Sequence, residues 1–177
     1  MQSPQLLKTP VLIVGAGVTG AGLARDLALR GVGAMVLEKG DFNTGASGAN
    51  HGLLHSGARY VESDPAAACE CRLENTLLKR LAPQCIDTAG GLFVAVQGDS
   101  EHYIADFPRL CAQCAIETHA IPVDQVAVIE PALSKKIIAA YAVNDAAIDP
   151  FKLTLDNLVH ARHLCASLIR YTRLAGL

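Results

Sequence analysis

The chain has 177 residues, of which 51% are hydrophobic and 18% are charged, a composition typical of a globular protein with one or two domains. Its 15 basic and 17 acidic residues give a formal net charge of -2 without any basic run, which argues against nucleic acid or an anionic bilayer as a partner. Residues 1–10 lack the apolar run of a signal peptide, and the apolar segment from Val11 is far shorter than the ~20 residues of a membrane span. We therefore expect a cytoplasmic protein.

The cysteines and histidines do not predict a metal site. Six cysteines at irregular spacing favour reduced thiols over a disulfide framework in a chain of this length. Cys111 and Cys114 have the spacing of a metal or redox motif, but they fall within one predicted helix and no second pair accompanies them. We interpret them as structural thiols. His160 and His163 are one helical turn apart and are expected on a solvated face.

Residues 11–38 predict a strand, a helix and a second strand. The run VLIVG is short, apolar and β-branched, as in a strand that is buried on both faces. Small and apolar residues then recur at helical spacing until Gly31, which is placed as the C-terminal stop. The second strand covers Ala34 to Glu38. A connection of this length predicts parallel neighbours joined by a right-handed crossover.

Beyond residue 60 the pattern alternates between helices and strands. A helix capped by Asp149 and begun by Pro150 precedes a final predicted strand, SLIRYTRLAGL. The elements predicted before it are a helix at 65–81, a strand at 90–97, a helix at 100–115, and the strands AIETHAIP and KKIIAAYAV with a short helix at 123–130 between them.

Gly15, Gly17 and Gly20 form the pattern G-x-G-x-x-G where the first strand turns into the helix. The first glycine permits the tight turn, the second lets the backbone approach a pyrophosphate, and the third lets the helix pack closely on the strand. Glu38 follows about 20 residues later, as expected of a carboxylate that binds a ribose hydroxyl, and it disfavours the 2′-phosphate of NADP. The alternative is a glycine-rich turn in an ordinary α/β protein.

The segment KGDFNTGASGANHGLLHSGARY has neither helical nor strand periodicity. A second glycine-rich segment after the acidic residue indicates a ligand longer than NAD. Its backbone N–H groups and the Ser47 hydroxyl can bind a diphosphate, and the glycines of HGLLHSG can lie flat beside a ring system. His51 and His55 could equally be turn residues that hydrogen-bond to the backbone.

These segments, together with GGLFVAV, IEPAL and AIDPFKLT, resemble the FAD-dependent glycerol-3-phosphate dehydrogenases, and within them the large catalytic subunits of the anaerobic bacterial enzymes, over nearly the whole chain. The resemblance implies an α/β fold of the D-amino-acid-oxidase type, in which a Rossmann-like FAD-binding parallel sheet is interrupted by part of an α+β substrate domain. The implied parts are residues 1–60 and 150–177 for the FAD-binding domain and 61–149 for the substrate domain. SLIRYTRL would form the third parallel strand.

The resemblance also implies site residues. His55 is a candidate catalytic base, the alternative being a base in the part of the family members that lies beyond these residues. Arg59 and Tyr60 fall at the substrate entrance, where an arginine suits a phosphate dianion through its planar fork of donors. The implied FAD contacts are Gly15, Gly17, Thr19, Gly20, Glu38, Lys39, Ser47, Asn50, His51, Gly52, Leu54 and His55. The family has an arginine where this chain has Ala49, which predicts a weaker hold on the cofactor.

The implied reaction is the oxidation of sn-glycerol 3-phosphate to dihydroxyacetone phosphate, with electrons passed through partner subunits to quinone at the inner face of the cell membrane. Family members are several times longer, so the chain corresponds to an N-terminal fragment or a truncated product. Two alternatives stay open: an FAD-dependent amine or amino-acid oxidase of the same fold, and an inactive nucleotide-binding fragment.

Overall fold

The computed structural model describes residues 6–176, which divide into two compact units. Unit 1 contains the described residues up to Gly52 and those from Asp149 onward, and unit 2 contains Leu53–Ile148. Residues 53–60 therefore lie in unit 2, whereas the sequence predicts them in the first part of the FAD-binding domain. The reason is a strand pairing, in which Leu53 and Leu54 lie opposite Ala147 and Ala146.

The secondary structure follows the predicted alternation of strands and helices. In chain order, the described residues form β1 (Val11–Val14), α1 (Val18–Leu29), β2 (Ala34–Leu37), β3 (Leu53–Leu54), α2 (Pro65–Leu81), β4 (Ile86–Asp87), β5 (Gly91–Val96), α3 (Glu101–Gln113), β6 (Thr118–Ala120), α4 (Val123–Ile129), β7 (Ile137–Val143), β8 (Ala146–Ile148), α5 (Pro150–His163) and β9 (Ser167–Ile169), with 3-10 turns at Ala58–Tyr60 and Pro83–Cys85.

Unit 1 contains a parallel sheet in the order β1-β2-β9, so the prediction of a third parallel strand is confirmed. Helices α1 and α5 pack together, and the buried core beneath them joins Ile13 of β1 and Val36 of β2 to Leu158 of α5. Small side chains allow the close approach of the helices, since Ala21, Ala24, Ala28 and Ala161 are all buried. The result is the strand, helix and strand arrangement on which a dinucleotide site is built.

Unit 2 contains two antiparallel sheets, in the orders β3-β8-β4 and β5-β7-β6. Its largest buried side chain is Phe107 of α3, whose ring stacks on Phe93 at a centroid distance of 4.4 Å and also contacts Tyr103 and Tyr141. None of the helices within residues 6–176 is long and apolar enough to cross a membrane.

Three helices end in the same hydrogen-bonded cap. After α1, Gly31 has a φ of 72°, its N–H donates to Ala28 O, and the N–H of Val32 donates to Leu27 O. The equivalent positions after α3 and α5 are Ala115 and Cys165, with φ values of 54° and 74°. This is the Schellman arrangement, in which a left-handed residue lets two N–H groups satisfy the last carbonyls. Gly31 ends α1 as predicted, whereas the other two caps use residues with a side chain.

The structure corrects two sequence-based interpretations. The sequence predicts no regular structure in the segment before Tyr60, but this segment contains β3 and the 3-10 turn. The last strand is shorter than predicted, because β9 ends at Ile169 and Tyr171 adopts a left-handed φ of 53°. Neither feature has a periodic sequence signal, since each depends on one or two residues.

Candidate cofactor and substrate sites

At each of the three glycine positions in the turn between β1 and α1, backbone conformation or close packing explains why the residue has no side chain. Gly15 has a φ of 105°, a conformation that L side chains rarely adopt, and its N–H donates to Leu37 O at 2.8 Å. A Cβ at Gly20 would lie 2.0 Å from the carbonyl oxygen of Gly15, and one at Gly17 would lie 2.8 Å from Ser47 Oγ. The turn is therefore as tight as the glycine pattern predicts.

Glu38 connects this turn to the end of β2. It is 9% exposed, and its Oε2 accepts a hydrogen bond from Ala16 N at 2.9 Å while its Oε1 accepts one from Gly40 N at 2.9 Å. The Ala16 N–H, followed by the Gly40 N–H, lowers the pKa of this carboxyl below its ordinary value. Each oxygen keeps a second lone pair, so an ionised Glu38 can still accept a hydrogen bond from a hydroxyl.

A cavity of about 300 Å³ lies at the carboxyl ends of β1 and β2. It is bounded by the two strand ends, by Glu38 and Lys39, and by the segment Thr172–Leu174 that follows β9. That segment is held by the backbone, because Thr172 N donates to Glu38 O at 2.9 Å and Tyr171 N donates to Gly40 O at 3.3 Å. Ligands of open parallel sheets bind at this edge. Sequence patterns did not indicate residues 172–174, which have no motif of their own.

The N-terminus of α1 carries no acidic residue in its first turn. Ser47 Oγ accepts a hydrogen bond from the first helical N–H, that of Val18, at 3.0 Å, which leaves the hydroxyl proton for another acceptor. Asn50 holds the following residues, since its Nδ2 donates to Ser47 O at 2.6 Å and its Oδ1 accepts from Gly52 N at 2.7 Å. These groups form a suitable environment for phosphate oxygens at a helix N-terminus.

Thr19, Lys39 and His51, also among the predicted cofactor residues, are exposed. They belong to unit 1 with the glycine turn, Glu38, Ser47, Asn50 and Gly52. Their contact with a cofactor stays a prediction.

The remaining predicted residues lie together in unit 2. The ring of His55 makes an edge-to-face contact with Tyr60 at 5.4 Å, and the guanidinium carbon of Arg59 lies 5.2 Å from the centroid of the Tyr60 ring. Gly57 begins the turn with a φ of 96°, and a Cβ there would lie 2.3 Å from Ala68 O. Leu54 lies just before, with its carbonyl oxygen accepting from Asn75 Nδ2 at 2.9 Å. The structure thus brings His55, Arg59 and Tyr60 together.

Cys111 and Cys114 are buried in the core of unit 2, and burial raises the pKa of each thiol to about 11. Cys114 Sγ donates to Pro65 O at 3.3 Å. Across residues 6–176, no group of three or more His, Cys, Asp or Glu side chains is arranged to hold a metal ion. His160 differs from its prediction, because it is half-buried and its Nδ1 accepts from Arg25 Nε at 3.0 Å, whereas His163 is exposed.

The parallel sheet and the glycine turn define a dinucleotide-binding protein. The model of the FAD dependent oxidoreductase family, DAO, matches residues 10–177, and the chain belongs to this family. It is 42% identical over its 177 residues to a subunit of the anaerobic glycerol-3-phosphate dehydrogenase of Escherichia coli K12, and 43% identical over 171 residues, 97% of the chain, to the corresponding subunit of Haemophilus influenzae. The chain spans 33% and 30% of these relatives, about a third of their length.

Solved structures show the same fold. The L-proline dehydrogenase of P. horikoshii superposes with a TM-score of 0.81 at 23% identity, covering 96% of this chain and 46% of that one. The L-alpha-glycerophosphate oxidase of Mycoplasma pneumoniae, solved with FAD bound, gives a TM-score of 0.83 at 19% identity and covers 97% of this chain and 47% of the other.

The residues of unit 1 fit the FAD of this family. The turn has no side chain at the places where a dinucleotide backbone would approach, and its glycines at positions 17 and 20 could not be replaced without a clash. The cavity at the strand ends presents the Glu38 carboxylate, as a ribose hydroxyl requires.

Proposed function

We propose that this chain supplies the FAD-binding part, and a portion of the substrate-binding part, of a dehydrogenase that oxidises sn-glycerol 3-phosphate to dihydroxyacetone phosphate. The observation that carries the proposal is the 42% identity, over all 177 residues, to a subunit of the anaerobic glycerol-3-phosphate dehydrogenase of Escherichia coli. By the same relationship, we propose other subunits as partners, transfer of electrons to quinone, and a peripheral location at the inner face of the cell membrane.

In this proposal the flavin, when bound, supplies the acceptor for the hydride of the substrate alcohol. The turn containing Gly15, Gly17 and Gly20 holds the pyrophosphate against the N-terminus of α1, and Glu38 accepts a hydrogen bond from the ribose. His55 accepts the proton of the alcohol oxygen as general base. The packing of His55 on Tyr60 supports this role, because it fixes the imidazole ring.

Arg59 is proposed to hold the substrate phosphate. Its side chain is exposed, and within the described residues it makes no ion pair with a carboxylate, so its charge is available to a ligand. The Tyr60 ring beside the guanidinium limits its motion without using its donors. A guanidinium fork then binds two phosphate oxygens at once.

A second candidate function is FAD binding without turnover. It concerns these 177 residues by themselves, which span about a third of the dehydrogenase subunits they match. A purified chain that is yellow but does not reduce a dye with glycerol 3-phosphate would support it.

The proposed substrate role of Arg59 can be tested in a full-length context. The 177 residues would replace the matching region of the Escherichia coli subunit, with Arg59→Lys and Arg59→Ala variants. Both should retain FAD, and glycerol 3-phosphate oxidation should fall from wild type to lysine to alanine, by about tenfold or more for alanine if one charged hydrogen bond is lost. Arg80→Ala, in the last turn of α2, is the matched control and should be as active as wild type.

Glycerol, D-amino acids and sarcosine complete the test. Glycerol carries no phosphate for Arg59 to bind, so its oxidation should hardly change in the Arg59 variants. An equal loss on both substrates would show that Arg59 positions the flavin or its own segment. Oxidation of D-amino acids or sarcosine instead of glycerol 3-phosphate would contradict the proposed substrate and favour an amine or amino-acid oxidase.

A further inference from the structure

A polar cleft of about 190 Å³ in unit 2 contains two buried polar atoms without partners among the described residues. It is lined by Ser56, by Arg72, Asn75 and Thr76 of α2, by residues 115–117 and by Asn144. Ser56 is 2% exposed, and within residues 6–176 neither its Oγ nor the Nε of Arg72 has a hydrogen-bond partner. Buried polar groups are nearly always paired, so these two require a partner that is not part of the described chain.

Other polar groups of the cleft form hydrogen bonds within unit 2, and these bonds hold its walls in place. Ser56 N donates to Asp145 Oδ1 at 2.6 Å, and Asn75 Nδ2 donates to Leu54 O at 2.9 Å. Thr76 Oγ1 donates to Arg72 O at 2.9 Å. These bonds fix the backbone around Ser56 and the helix that carries Arg72. The unused groups therefore face a preformed space.

The opposite wall does not compete for the unused donors. At residues 115–117, the N–H groups of Ala115 and Ile116 donate to the last carbonyl oxygens of α3, those of Ala112 and Cys111. Neither carbonyl oxygen accepts from the Nε of Arg72, which has no hydrogen-bond partner among the described residues.

Charges of both signs surround the cleft: Arg72 and Lys79 favour an anion, whereas Asp145, whose Oδ1 accepts from Ser56 N at 2.6 Å, and Glu117 oppose one. Arg72 has no carboxylate within ion-pair distance among the described residues. Lys79 brings a second cation to the rim, since its Nζ donates to Asn144 O at 2.7 Å. Glu117 also lines the cleft and opposes an anion there.

We propose that this cleft binds a small oxyanion, a carboxylate or a phosphate, through the Nε–H of Arg72 and the hydroxyl of Ser56. Both unused groups are donors, and an oxyanion presents acceptor oxygens to each of them. Glu117 weakens the binding by repulsion. The site goes beyond the proposed function, because His55, Arg59 and Tyr60 are not among its lining residues.

Anion-dependent stabilisation tests the site. The thermal unfolding midpoint of the chain would be followed in excess FAD, which occupies the dinucleotide turn, while inorganic phosphate or acetate replaces chloride at constant ionic strength. The midpoint should rise and saturate, because a ligand that binds only the folded chain stabilises it. The anion that saturates at the lower concentration identifies the source of the oxyanion.

The variants locate the effect. Arg72→Gln and Ser56→Ala should each raise the half-saturating concentration, by about tenfold for the arginine, which contributes a charged hydrogen bond. Glu117→Gln should lower it. Arg80→Gln removes the same charge from the same helix and should leave the response unchanged. Arg59→Gln removes phosphate binding in the proposed substrate site, and the part of the response that depends on Arg72 should remain.

The contrary results are distinct. If neither anion shifts the wild-type midpoint, or if Arg72→Gln responds like wild type, the cleft holds water alone and the proposal is wrong. If Arg59→Gln abolishes the response, the anion binds in the proposed substrate site, which supports the proposed function and overturns this inference. Ser56→Ala removes a single hydroxyl, so it decides the matter if Arg72→Gln does not fold.

Discussion

The candidate cofactor residues of unit 1 and the candidate substrate residues of unit 2 are held in different ways. In unit 1 the backbone itself is constrained: Gly20 lies against the Gly15 carbonyl, and both oxygens of Glu38 accept backbone N–H groups. In unit 2, Arg59 is exposed and rests on the Tyr60 ring. A site made of backbone contacts tolerates few substitutions, whereas a site made of exposed side chains can change its ligand while the fold persists.

The largest effect that would sharpen this comparison is expected at Gly20. Its replacement by alanine places a methyl group against the Gly15 carbonyl, so Gly20→Ala should lower the free energy of unfolding by about 3 kcal/mol and abolish FAD retention. Gly22→Ala is the matched control, because its Cβ meets nothing within 4 Å; it should raise stability by about 0.5–1 kcal/mol through helix propensity. Urea unfolding and flavin absorbance measure both quantities.

The comparison would be contradicted if Gly20→Ala had the same stability and FAD retention as Gly22→Ala. The turn would then have room to relax, and its tightness could not explain the glycine pattern.

The next effect concerns Glu38. Glu38→Ala should weaken FAD retention, because the ribose loses a charge-assisted acceptor of about 1.5–3 kcal/mol. Glu38→Gln should lower the free energy of unfolding at pH 7, because the amide has one acceptor oxygen for the N–H groups of Ala16 and Gly40.

The pH dependence of stability gives an independent measurement of Glu38. Its pKa is lowered in the folded chain from the ordinary 4.5, so its contribution is present above that value and is lost as the pH falls through the folded pKa. The difference in free energy of unfolding between wild type and Glu38→Gln should therefore shrink as the pH falls below about 5, where carboxyls of this kind become protonated.

The smallest effect is expected at the two left-handed caps that do not use glycine, one in each unit. Cys165 and Ala115 adopt φ values of 74° and 54°, which cost an L-residue about 1–2 kcal/mol, partly offset by the greater flexibility of glycine in the unfolded chain. Cys165→Gly and Ala115→Gly should each raise the free energy of unfolding by about 0.5 kcal/mol in urea titrations. An unequal gain would locate additional strain in one unit, and a loss in both would contradict the cap assignment.

The sequence was most informative where short-range geometry dictates residue type. The glycines of the turn and Glu38 after β2 follow from spacing, and the structure contains them. The parallel return of β9, which the family resemblance implied, is also present. The pairing of β3 with β8 was missed, because a two-residue strand has no period and its partner is distant in the chain, with Leu53 opposite Ala147. Ser56 and residues 115–117 line the same cleft although they are distant in the sequence, so no local sequence pattern could indicate it.

Cys165 is a site at which the folded chain can be labelled selectively. Its thiol is exposed, whereas Cys85, Cys111 and Cys114 are buried, and the raised pKa of the last two keeps them protonated at neutral pH. Alkylating reagents attack the thiolate at accessible sites, so Cys165 should react first in the folded chain. A dye attached there would lie between α5 and β9, beside the strand that completes the parallel sheet. The buried thiols would become reactive when unit 2 opens, and the number of labels per molecule would record that opening.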